Sequence, residues 1–167
     1  ALGARQAQRL AAHWLHQGER FDVVVTGTLQ RQQQTEQHLG AAFAEAGVAW
    51  PHAERHEGLN EFPAERVVRK LAPELCLRDR SVRRCYRRYA RGGEDAEESL
   101  MELVQRVCEY WVREDYFTPL PVRWPHFRDQ VGEVLSALSA RAAAGERVLA
   151  ITSGGVISVA LSAVSGD

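Results

Sequence analysis

Two short apolar runs constrain this chain more than any other feature. "FDVVVTG" (21–27) and "RVLAITSGG" (147–155) are rich in β-branched residues and too short to be helices. Each ends in small residues and passes at once into a new helical pattern. That is the outline of a buried strand turning directly into a helix. Around them the period is helical. Leu2, Ala7, Leu10, Ala11, Trp14 and Leu15 recur at spacings of three and four until Gly18, and "TLQRQQQTEQHLGAAFAEAG" runs to Gly47. Val48 to Trp50 reads as one further short strand before Pro51 turns the chain.

The middle is different. From Phe62 to Trp111 the pattern is almost wholly helical, with "GGED" at a turn. Val82, Cys85, Tyr86, Tyr89 and Ala90 mark one apolar stripe. Leu100, Leu103, Val104, Val107, Cys108, Trp111 and Val112 mark another, and the aromatic residues read as core. "YFTPLPVRWP" is a proline-broken connection. A long helix through Phe127, Val131, Val134 and Leu138 ends near Gly145, and a last helix starts at Val156. Strands alternating with helices predict an α/β domain. We expect one domain over 1–167, a three-layer α/β/α fold with a largely parallel sheet, and a helical insertion at 62–123.

Composition narrows the function classes. A chain of 167 residues with 45% hydrophobic side chains is long enough for a core and excludes disorder. Its net charge of -1 supplies no global field toward nucleic acid or a membrane. The arginine run "RDRSVRRCYRRYAR" offers a nucleic-acid reading, but its arginines largely alternate with an apolar stripe on one helix. With a near-neutral total charge it is read as a solvated face. Cys76, Cys85 and Cys108 are odd in number with no C-x-x-C pair, which favours a reducing, cytoplasmic compartment. No apolar run approaches the ~20 residues of a membrane span.

Ligands of parallel sheets sit beyond the carboxyl ends of the strands. Two strand-to-helix corners lie there, each offering small residues, free amides and a helix dipole to an anion. The first carries Thr28 and, one turn into its helix, Arg31. The second carries Ser153 and Gly154. For Ser153 three roles stay open: nucleophile, phosphate donor or helix cap. It lacks the G-x-S-x-G frame of a nucleophile elbow, and neither corner matches a glycine-rich nucleotide signature. Glu61, in "HEGLNEFPAERV", precedes a helix and is a candidate general acid. His52 and His56, four apart, would suit a metal only on a helix, and Pro51 and Gly58 argue against one, so no metal site is expected.

Taken in order, these segments resemble the histidine phosphatase superfamily, the phosphoglycerate-mutase-like fold. "ALGARQAQRLAAHW" is similar to that family's L-x-x-x-G-x-x-Q-A helix, and "FDVVVTGTLQRQQQTEQHL" to its strand, turn and arginine-bearing helix. "LNEF" resembles its acidic loop, "WPHFRDQVGEVLSAL" its late helix, and "RVLAITSGGVISVAL" its last strand and helix. The resemblance implies a phosphatase that hydrolyses phosphomonoesters through a phosphohistidine, with no metal and no cofactor. Arg31 would hold the phosphoryl group, Glu61 would protonate the leaving oxygen, and Thr28 and the Gly154 amide would be lesser contacts. The family's attacking histidine lies in an Arg-His-Gly triplet that none of the six histidines here occupies, so that triplet is expected upstream of Ala1. Ser153 stands where the family keeps a second phosphate-holding histidine. A non-catalytic phosphate binder and a mutase-type phosphotransferase are the alternatives. The expected partner is phosphate or a phosphorylated small molecule, with no nucleic acid and no membrane; a homodimer stays open.

Overall fold

A computed structural model describes residues 2–93 and 95–165. Ala1, Gly166 and Asp167, at the expected ends of the domain, and Glu94, in the expected GGED turn, lie outside the described residues. The chain forms two compact units, one from 1–61 with 129–167 and the other from 62–128.

The first unit opens with helix α1 (Leu2–His16), strand β1 (Val23–Thr26) and helix α2 (Gln30–Glu45). Gly47, at φ +68°, takes the left-handed conformation that ends α2. A two-residue strand β2 (Glu54–Arg55) and a 3-10 turn (Glu57–Leu59) follow. After the second unit come the end of helix α6 (Trp124–Ala143), strand β3 (Val148–Ile151) and helix α7 (Gly154–Ser165). The strands form a parallel sheet in the order β2-β1-β3, with Val23 opposite Val148 and Thr26 opposite Ile151. All four residues of β1 are buried, as a central parallel strand requires. Val24, Ile151, Leu39, Phe43 and Ala11 make its core, with Trp14, Phe21 and Trp50 packed around them.

The second unit is wholly helical: α3 (Ala64–Arg78), α4 (Arg80–Arg91), α5 (Ala96–Arg113) and the first turn of α6. Trp111, only 1% exposed, stacks on Phe62 at 4.6 Å and meets Trp124 and Phe127 edgewise or tilted. Asp79 caps α4 by accepting from the Ser81 and Val82 amides, and also accepts from the Tyr110 hydroxyl at 2.9 Å. Glu74 fastens the 115–123 connection by accepting from both the amide and the hydroxyl of Thr118.

The expected three-layer α/β/α fold with a largely parallel sheet is therefore incorrect. Among the described residues, seven α-helices stand against three short strands, two of four residues and one of two. The sheet is parallel but too narrow for such layering. One expected strand is lost because Val48–Trp50 joins no ladder: Val48 and Trp50 turn their side chains into the α2 core, and pairing begins only at Glu54. Helix α7 starts at Gly154, two residues earlier than expected. On α4 only Val82 and Cys85 are buried. Tyr86 and Tyr89 are about two-fifths exposed, and Phe117 is 87% exposed. No helix among the described residues is long and apolar enough to cross a membrane.

Candidate functional site

Parallel pairing of β1 with β3 sets their two following turns side by side. The Gly27 amide donates to the Ile151 carbonyl, continuing the ladder into both corners. From there the site is assembled by neutral side chains.

Gln32 is its centre. It lies in the first turn of α2, is 2% exposed, and uses both ends of its amide. Its Oε1 accepts from the Leu29 amide at 3.2 Å, closing the start of α2 from within the helix. Its Nε2 donates to the Leu59 carbonyl at 2.8 Å and to Ser153 Oγ at 2.9 Å. The Leu59 carbonyl also accepts from the Thr152 hydroxyl at 2.7 Å. One buried glutamine thus joins both corners and the 3-10 turn. A Cβ at Gly27 would overlap Gln32 Oε1 and lie 2.7 Å from Asn60 Oδ1, so any side chain there would displace both amide clamps.

Asn60 makes the second clamp. Its Oδ1 accepts from the Thr28 amide and its Nδ2 donates to Thr28 Oγ1, both at 2.7 Å. Next to it, Glu61 Oε2 accepts from the Gly155 amide at 3.0 Å, placing a carboxylate at the positive end of α7.

Arg31, Ser153, Gly154 and Glu61 come together. They line one cavity of about 330 Å³ with Gln32, Thr35, Ile151 and Thr152. Arg31 Nη2 donates to Ser153 Oγ at 3.3 Å. Ser153 Oγ therefore accepts from two N–H groups, which leaves its own proton as a donor. The Gly154 amide makes no hydrogen bond to a described residue. Thr28 is not among the lining residues, and both its amide and its hydroxyl are engaged by Asn60.

The histidines lie elsewhere. None lines this cavity. His56 Nδ1 accepts from the Gly58 amide at 3.1 Å and caps the 3-10 turn, while His52 borders a separate cavity beside Trp50 and Arg55. No group of three potential metal ligands occurs among the described residues.

Sequence reasoning did not find Gln32 and Asn60. Gln32 sits inside "QRQQQ", where nothing distinguishes it from its neighbours. The one usable signal was its place in the first turn of a helix entered by a small-residue corner, where a glutamine can reach back to the cap amide.

What this corner can do chemically is hold a small anion. One guanidinium, one hydroxyl proton and one free helix-start amide converge in it, and a carboxyl group stands beside them. No protein-family model and no curated protein matches this chain.

Proposed function

We propose that the β1/β3 corner holds the phosphoryl group of a small phosphomonoester, and that the protein is a phosphatase of the histidine type. The observation that carries this is the meeting of Arg31, Ser153 and Gly154 in one cavity at the start of α7. Arg31 takes two equatorial oxygens with its fork. The Ser153 proton and the Gly154 amide take the third, where charge gathers in a loose transition state. Glu61 gives a proton to the leaving oxygen as histidine forms the N–P bond and the O–P bond breaks. Water then cleaves the N–P bond, returning a proton to Glu61 and releasing phosphate.

This route needs an attacking histidine at the cavity, and none lines it among the described residues. The test is to incubate full-length protein with a generic phosphomonoester and look for an acid-labile phosphoenzyme. The proposal expects one in the wild type and none in Arg31→Ala. It also expects Ser153→His to raise turnover, because a cationic donor replaces a neutral one. Turnover without a phosphoenzyme would defeat the histidine route.

A second reading, a phosphate-ligand binder without turnover, draws on the neutral Ser153 and the absence of a lining histidine among the described residues. Tight phosphate binding with no turnover at all would select it. Free thiols at Cys76, Cys85 and Cys108 support a cytoplasmic setting.

A further inference from the structure

The arginines of α4 are not used by the phosphate corner. Six of its twelve residues are arginine and none is acidic. Like charges three and four residues apart oppose helix formation. Two of the six are satisfied inside their own unit. Arg83 Nε donates to the Cys76 carbonyl at 2.6 Å, and Arg88 donates to Ser99 and to Glu102, each at 2.8 Å. Arg80, Arg84, Arg87 and Arg91 make no hydrogen bond or ion pair with a described residue. Their spacing of four, three and four sets them in one row, opposite the buried Val82 and Cys85. With Arg83 and Arg88 they line a concavity of about 410 Å³ that no other residue type lines among the described residues.

The near-neutral total charge conceals an asymmetry. Residues 62–128 hold fourteen basic and eleven acidic side chains, whereas the other unit holds seven and eleven. The unit that bears the row is the basic one.

We propose, against the sequence expectation of no nucleic-acid partner, that the outer face of α4 docks on the phosphate backbone of duplex DNA without reading its sequence. Guanidinium forks match phosphate oxygens. The row runs about 16 Å at 1.5 Å per residue, and a single helix fits a major groove about 12 Å wide. An apolar side chain in the row would favour a membrane surface, and there is none. An aromatic side chain in it would favour stacking on single strands, but Tyr86 and Tyr89 lie on the flank toward the buried side. No amide side chain stands in the row to read a base edge. The phosphate corner takes no part, so either idea can fail alone.

The test is fluorescence anisotropy of the full chain with a random-sequence DNA duplex across a salt series. Four neutralised phosphates predict that log K falls with log salt at a slope of about −3.6. Arg84→Gln with Arg87→Gln should halve that slope to about −1.8. Arg80→Gln with Arg91→Gln should halve it equally, while Arg5→Gln with Arg9→Gln should leave it unchanged. No binding at low salt overturns the proposal. So does a slope that responds to Arg5 and Arg9 as strongly as to the α4 pairs, and so does displacement of the duplex by polyglutamate at equal charge, which would assign the face to an acidic protein.

Discussion

The two compact units solve the same problem with different chemistry. Around its candidate site the unit of 1–61 and 129–167 fixes its loops mainly with neutral polar side chains: Gln32 and Thr152 donate to the Leu59 carbonyl, and Asn60 clamps Thr28. The unit of 62–128 relies on a stacked aromatic core around Trp111 and on two ionised carboxylates, Asp79 and Glu74. Neutral side chains carry the clamps there, while the charged Glu61 and Arg31 touch the same corner through the Gly155 amide and Ser153 Oγ. Carboxylate caps tie helices firmly but make their unit sensitive to acid.

The largest effect should come from the aromatic core. Trp111→Ala should cost about 3–5 kcal/mol, as for other large core truncations, measured by urea unfolding. A loss below 1 kcal/mol would mean that the stack is not the anchor of that unit.

Next comes the neutral network. Gln32→Ala leaves the Leu29 amide without its acceptor and Ser153 without its closer donor, and should cost about 1–3 kcal/mol. It should also weaken phosphate binding, since Ser153 is no longer held against Arg31. Intact binding with lowered stability would show that Gln32 is structural alone.

The acid response separates the units. Burial pushes the Glu74 carboxyl up, but the Thr118 hydroxyl, the Phe117 and Thr118 amides and Arg78 outweigh it and hold it below its ordinary value. At Asp79 burial again pushes up, and the Tyr110 hydroxyl, the Ser81 and Val82 amides and Arg106 outweigh it. A carboxyl lowered in the folded state stabilises above its unfolded value and loses that stabilisation as pH falls through the folded one. The unfolded values are 4.5 for Glu74 and 3.8 for Asp79. Stability should therefore be level near neutrality and fall below about pH 4. NMR signals of 62–128 should weaken before those of the Gln32 network. Simultaneous loss of both would erase the contrast.

The smallest effect on stability belongs to Arg31, an exposed side chain. Arg31→Ala should change it by no more than about 0.5 kcal/mol, while phosphate affinity falls at least about tenfold with the loss of a charge-assisted contact.

The strand-to-helix corners were legible because "VVVTG" and "LAITSGG" combine β-branched runs with small-residue turns, a pattern that local sterics dictate. Arg31 and Ser153 were singled out from their places at those corners, and Glu61 from its loop before a helix. The layering expected from the sequence was wrong, and the narrow sheet was not legible. Whether Val48–Trp50 pairs or packs depends on Phe43 and Phe21, which contact Trp50 from other parts of the chain. Gln32 and Asn60 were invisible for a related reason: each acts through a partner tens of residues away. The arginines of α4 could be read, but not which of them find acceptors among the described residues, because Arg83 and Arg88 find theirs on neighbouring segments.

The central claim is that the β1/β3 corner binds a phosphoryl group. The direct measurement is an NMR titration of the full chain with a phosphomonoester, following backbone amides. The account predicts saturable shifts confined to Arg31, Gln32 and Ser153 to Gly155, lost in Arg31→Ala. Shifts that leave Ser153 to Gly155 unmoved, or that persist in Arg31→Ala, would contradict it.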